Sequence, residues 1–167
     1  MELNKLHRKE KNKLNLDVGC GLLPKGDINV DLFIEEYSSR KKDLKKLRIP
    51  NLINADIHFL PFRDKAFNTT FCYNVLEHIE VEIIYALREL VRVTENILEI
   101  QIPHRFAMFI EAPRHNKAYG VLSFRKLLKS LGFPYCLDVY YKDVPFSLLP
   151  LVRIPNRIRV RISCGEF

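Results

Sequence analysis

The sequence of 167 residues predicts an α/β domain: a mostly parallel sheet flanked by helices, with a shortened first crossover. Three observations carry this expectation. Short runs with a two-residue period, several ending in aspartate, are followed by segments with a helical period. The first run leads into a Gly-x-Gly turn and not into a hairpin signal. The composition, 47% hydrophobic and 28% charged, is that of a globular chain able to bury a core without disulfide or metal staples. A single domain over residues 1–167 is expected.

In chain order, Lys13-Leu14-Asn15-Leu16-Asp17-Val18 alternates apolar and polar residues and reads as a strand that stops at Gly19-Cys20-Gly21. Only nine residues separate Gly21 from Asp31, too few for both a helix and a strand, so a loop containing Pro24 and Gly26 should replace the first crossover helix. Strands are expected over residues 28–31, 52–56 and 69–73. From Ile79 the period lengthens, with Ile79, Ile83, Leu87 and Leu90 on one helical face and Glu80, Glu82, Arg88, Glu89 and Arg92 on the other. Residues 97–102 form the next strand, stopped by Pro103. A second helix takes Ser123 as N-cap, buries Phe124, Leu127, Leu128 and Leu131, and ends at Gly132 with Pro134 beyond. Residues 135–141 and 157–162 read as the last two strands. The latter sets Arg157, Arg159 and Arg161 against Ile158, Val160 and Ile162. Residues 141–156, with Pro145, Pro150 and Pro155, are expected to be the least regular part.

The net charge of +7 is unevenly placed. Residues 1–50 hold 12 basic and 8 acidic side chains, residues 51–100 hold 4 and 8, and residues 101–167 hold 11 and 4. Basic flanks around an acidic middle leave nucleic acid open as a partner, although a solvated surface explains the same excess. The run 40–48 and the stripe Arg157, Arg159, Arg161 are its two candidate footprints. Cys20, Cys72, Cys136 and Cys164 form no metal-ligand spacing, which fits a reducing compartment. With no apolar stretch of membrane-spanning length, the expected location is cytoplasmic.

The sharpest chemical signal is Leu16-Asp17-Val18-Gly19-Cys20-Gly21. Two glycines let a backbone approach a ligand closely, and the acid adds a hydrogen-bond acceptor. Pro24 stands where a dinucleotide fingerprint needs its third glycine, and Asp27-Ile28 replaces the Lys-Ser/Thr of a phosphate loop. Both of those ligand classes are disfavoured. Two strand-like runs further on end at Asp31 and Asp56, each of which could equally cap a local turn.

With Leu60-Pro61-Phe62-Arg63-Asp64-Lys65-Ala66-Phe67 and Val75-Leu76-Glu77-His78-Ile79 following in order, the chain from Leu14 to Gly132 resembles the class I S-adenosylmethionine-dependent methyltransferases, in particular their small methyltransferase-domain group. The resemblance implies a Rossmann-like sheet and S-adenosylmethionine as cofactor. It assigns Asp17, Gly19, Cys20 and Gly21 to the methionine part, Asp31 to the ribose, Asp56 with Ile57 to the adenine, and Asn74 to the same pocket. The chain departs from the pattern in its reduced first crossover, in Asn68 where aspartate is usual, and in starting almost at the first strand. No N-terminal lid is therefore expected, and the acceptor side would be open or completed by a second subunit as a homodimer.

Methyl transfer needs alignment more than a dedicated base. His78 is the candidate catalytic base by residue type and place, with a structural hydrogen bond as the plainer reading. Glu77 could be a helix N-terminal acid. Asn74 lacks the Pro-Pro-aromatic sequence of amino-group nucleic-acid methyltransferases, and no Pro-Cys offers a pyrimidine nucleophile. His104 and His115 have no matching acid cluster, so no metal is expected. Cys20 reads as packing and not as a nucleophile. The expected function is methyl transfer to an unidentified acceptor. A catalytically inactive protein of the same fold, serving as a binding or scaffold subunit, is the competing reading.

Overall fold

A computed structural model describes residues 13–32, 49–79, 82–105, 119–146 and 149–165, with the backbone alone over 142–146 and 149–154. The run 40–48 and His115 lie outside the described residues.

Seven strands form one sheet: β1 (Leu16–Val18), β2 (Ile28–Asp31), β3 (Leu52–Asn54), β4 (Phe67–Tyr73), β5 (Thr94–Pro103), β6 (Tyr135–Phe146) and β7 (Leu149–Ser163). Their order is β3-β2-β1-β4-β5-β7-β6. The first five run parallel, and β7 is antiparallel to both neighbours. The order reverses beside β1, between β2 and β4, which opens a crevice at the C-terminal ends of the strands. The glycine turn after β1 lies at that point. The first crossover is a loop, as its length requires.

The alternation of side chains gives the sheet two unlike faces. Leu16, Val18, Val30, Cys72, Leu98, Ile100, Ile102, Ile158, Val160 and Ile162 are buried on one of them. Helices α1 (Ile83–Val93) and α2 (Val121–Lys129) cover this face, α1 through Ile83, Ala86, Leu87, Leu90 and Val93, and α2 through Phe124 and Leu128. Each buried Val, Leu, Ile or Phe side chain here contributes roughly 1.5–3 kcal/mol, so this layer holds the fold together. The other face is polar. Register sets Asp17, Phe71, Glu99, Arg161 and Cys136 in one row across the sheet. Tyr73, Gln101, Arg159 and Asp138 form the next.

Three sequence expectations change. The predicted helix from Ile79 begins only at Ile83, because Leu76–His78 make a 3-10 turn and Ile79 has extended backbone at φ −73, ψ 121. Ile79 is buried in the same core as Ile83, so its spacing reported burial and not an unbroken helix. Helix α2 starts two residues before Ser123, with Gly120 as N-cap. Ser123 still caps, since its Oγ accepts from the Gly120 amide at 3.1 Å, but it does so from inside the first turn. Residues 141–156, expected to be irregular, continue the β6–β7 pairing with register breaks at Tyr140/Tyr141 and Val144/Phe146. Pro145 falls in one break and Pro155 borders the other, which is where a strand tolerates a missing amide donor.

Candidate functional site

Leu16 and Val18 are drawn into the core between β2 and β4, so the chain leaves β1 directly into the turn. Gly19 and Gly21 both have left-handed backbone, φ 71 and φ 54. A side chain is excluded at Gly19: its Cβ would lie 2.2 Å from Val75 Cγ2. The Gly19 and Cys20 amides donate to Val30 O at 2.8 and 3.1 Å, tying the turn to β2. The replacement loop is held just as tightly at Gly26, where a Cβ would meet Asp17 N at 2.6 Å and Ile28 O at 2.4 Å.

Two carboxylates brace this turn from below. Asp31 Oδ2 accepts from the Gly21 amide at 2.9 Å, and Asp17 Oδ2 accepts from the Lys25 amide at 2.8 Å. Both residues are buried. Burial raises the Asp17 carboxyl above its ordinary value, the Lys25 amide and charge oppose this, and Asp31 adds to it. Cys20 is pushed up to about 12, by burial first and then by Asp31 and Asp17, so its thiol stays protonated. Two buried carboxylates beside a turn whose backbone can be closely approached suit a cationic, hydroxylated ligand.

Asp56 and Ile57 follow β3, past the point where Asn54 pairs with Asp31. Asp56 Oδ1 accepts from the His58 amide at 2.8 Å and lies 2.7 Å from His58 Nδ1, and the amide holds the Asp56 carboxyl below its usual value. Asp56 thus makes the local turn as well as standing at the rim. Ile57 is buried. Asn74, at the end of β4, is exposed with φ 55, and its amide donates to Gln101 O at 2.8 Å. The aspartates therefore converge on one rim, Asp17 and Asp31 at the turn and Asp56 one strand further out.

Beyond Asn74, the 3-10 turn exposes His78 and buries Glu77 completely. Among the described residues neither Glu77 oxygen has a hydrogen-bond partner beyond the residue's own amide, and burial, opposed by that amide, pushes its carboxyl up to about 7. A three-residue turn is too short to offer the helix dipole expected for Glu77. Tyr119 Oη is also buried without a partner, and Glu77 contributes to raising its pKa. His104 is buried after β5, where burial and Arg105 lower its pKa. Among the described residues no group of three or more His, Cys, Asp or Glu gathers as a metal site.

Sequence reasoning missed Lys25, Tyr73 and the burial of Glu77. Lys25 Nζ lies 3.7 Å from the centre of the Tyr73 ring, whose hydroxyl donates to Glu99 Oε1 at 2.7 Å. The signal was present: Tyr73, Glu99 and Arg159 all stand at odd positions of strands that alternate. The segment 60–67 proves structural. Arg92 donates to Leu60 O, Phe62 O, Asp64 and Glu89, which pins this segment onto α1. Asn68, the departure from the pattern, accepts from Asn96 Nδ2 at 2.7 Å and so joins β4 to β5.

Strand order and glycine turn together define the class I methyltransferase fold. Residues 16–96, a little under half of the chain, match the family model described as a methyltransferase domain. An uncharacterized protein of Methanocaldococcus jannaschii is 34% identical over 99 residues, which is 57% of this chain and 43% of that protein. The chain thus spans less than half of that relative's length. Similar solved structures include the YcgJ protein of Bacillus subtilis, with TM-score 0.63, 13% identity and 99% and 98% of the two chains covered. A SAM-dependent methyltransferase from Archaeoglobus fulgidus has TM-score 0.64, 15% identity and coverage of 96% and 91%. Magnesium protoporphyrin IX methyltransferase from Synechocystis, with bound SAH, has TM-score 0.60, 14% identity and coverage of 96% and 79%.

Proposed function

We propose that this protein is an S-adenosylmethionine-dependent methyltransferase acting on an as yet unidentified acceptor. The observation that carries the reading is the left-handed turn at Gly19 and Gly21 braced by the buried Asp17 and Asp31. The donor set fits the cofactor: a backbone that can be closely approached, crowded carboxylates that favour a cation, and Ile57 as an apolar surface beside them. Gly19, Cys20 and Gly21 would hold the methionine part, Asp31 the ribose, and Asp56 with Ile57 the adenine, with Asn74 in the same pocket. When bound, the cofactor supplies an electrophilic methyl group on a sulfonium.

The chain's own contribution is then positional. The glycine turn would fix one reactant and the segment after β4 would border the other, an arrangement in which proximity can supply roughly 7–11 kcal/mol of the barrier lowering. His78, exposed after β4, would be the group that accepts a proton from the acceptor.

Calorimetry with S-adenosylhomocysteine tests the reading. Binding that is lost in Asp31→Ala supports it, and absence of binding by the unaltered protein overturns it. Cofactor binding without transfer to any acceptor in a fractionated extract would favour the scaffold reading.

A further inference from the structure

The polar face of the sheet has aromatic and basic side chains interleaved over β4, β7 and β6. Arg159 lies with its guanidinium carbon 5.8 Å from the Tyr73 ring centre and 5.2 Å from that of Tyr140. Glu99 holds Arg159 Nε at 3.5 Å and Arg161 Nε at 3.6 Å, and Gln101 accepts from Arg159 Nη2 at 3.3 Å. The guanidiniums are thereby spread along the sheet beside the tyrosine rings. Arg157 pairs across the strands with Tyr140 and with Pro103. No described carboxylate pairs with Arg157, the exposed Asp138 stands across the strands from Arg159, and α1 and α2 lie on the opposite face. Tyr140 is 44% exposed, and the Arg161 side chain is 61% exposed. Tyr140, Arg157 and Arg161 are the exposed members of this face, while Tyr73 and Arg159 are half-buried and Glu99 and Gln101 are buried beneath them.

The charge identifies the occupant. The three longer stretches outside the described residues, 1–12, 33–48 and 106–118, are each net basic and supply no complement. Nor does the acidic middle of the chain offer one to a second copy. Asp56 faces His58, Asp64 and Glu89 face Arg92, Glu95 faces Lys13, Glu99 faces the stripe itself and Glu77 is buried, which leaves the exposed Glu82 as a single charge against three guanidiniums among the described residues of that segment. A partner bearing both regularly spaced negative charge and flat rings matches the array on both counts: phosphates to the arginines, bases onto the tyrosines.

We propose that the sheet face carrying Tyr73, Tyr140, Arg157, Arg159 and Arg161 is a docking surface for single-stranded nucleic acid. It is independent of cofactor binding, although Lys25 over Tyr73 brings its end close to the glycine turn. Its contacts are with backbone phosphates and ring faces, so it discriminates weakly among base sequences.

The test is fluorescence anisotropy of the full chain with a labelled twelve-nucleotide oligouridylate over a range of salt concentrations. Affinity should fall steeply with salt. Each phosphate contact contributes about 0.7 to the logarithmic slope, so Arg157→Ala with Arg161→Ala should reduce the slope by about 1.4. Tyr140→Ala should weaken binding roughly fivefold or more through lost stacking. Tyr140 and Arg157 are exposed and far from the core, and S-adenosylhomocysteine calorimetry on the same variants reports whether the domain is intact. Asp31→Ala should still bind the oligonucleotide, which separates this inference from the methyltransferase reading. Absent or salt-insensitive binding overturns the proposal. So does equal competition by polyphosphate together with an unaffected Tyr140→Ala, which would make the face a general anion site. Concentration-dependent self-association that the arginine variants abolish would assign the face to a second copy instead.

Discussion

Glu77→Gln should make this protein more stable at neutral pH. Glu77 is 0% exposed, no other described residue hydrogen-bonds its two oxygens, and burial raises its carboxyl from 4.5 to about 7 against the pull of its own amide. Below pH 4.5 the folded and unfolded chains both carry the proton, and the residue contributes nothing to pH dependence. Between 4.5 and about 7 the unfolded chain loses its proton first, so stability falls as pH rises. Above about 7 the penalty is complete. At about 1.4 kcal/mol for each tenfold change in proton affinity, it amounts to about 3 kcal/mol. Glutamine keeps the shape and removes the charge, so the variant should match the unaltered protein at pH 4 and exceed it by about 3 kcal/mol at pH 8. For a chain of this size that is a rise of about 6–12 °C in Tm. Urea melts followed by circular dichroism at several pH values give the difference directly, and other titrating groups cancel in it. A difference that does not change with pH, or a variant less stable at pH 8, would refute the reasoning. A stabilising substitution at a site neighbouring the proposed acceptor loop would also mark Glu77 as retained for something other than stability.

Other substitutions probe the turn and its supports. Gly19→Ala must displace Val75 and strain a left-handed residue, and calorimetry should show loss of S-adenosylhomocysteine binding. Gly26→Ala presses against the backbone of β1 and should lower stability by about 1–3 kcal/mol, read from urea unfolding. Arg92→Ala removes bonds to two carbonyls and two carboxylates; with its side chain partly in water, the loss should be about 2 kcal/mol, and Arg92→Lys should restore little of it because an ammonium cannot span the same set.

The sheet was legible wherever alternation and burial coincide. Residues 13–18 and 28–31 announced the strands at Leu16–Val18 and Ile28–Asp31, which are buried on both faces, whereas the strand expected over 52–56 stops at Asn54 and leaves Asp56 in the turn beyond it. The short first crossover followed from counting residues alone. Periodicity failed where a core position lies outside regular structure, as at Ile79, whose burial looked like helical continuity. It failed again over 141–156, because proline disfavours a strand only where its amide would be needed, and the register breaks supply places where it is not. Of the site, the glycine turn was legible through residue type. Glu77 was not, since nothing in its neighbours distinguishes an acid turned inward from one turned out. The partners of the arginine stripe were hidden for a different reason: Glu99 and Tyr73 meet it only across strands far apart in sequence.

The loop that replaces the first crossover helix joins β1 to β2 in so few steps that its path is nearly dictated. Gly26 sits flush on β1 while Asp17 grips the amide just before it. Lengthening it by even one residue between Gly21 and Gly26 would therefore be felt at Asp31 before anywhere else. Relatives that share this economy should vary in length elsewhere, and grafting a full helix here would rebuild the pocket floor along with the connection.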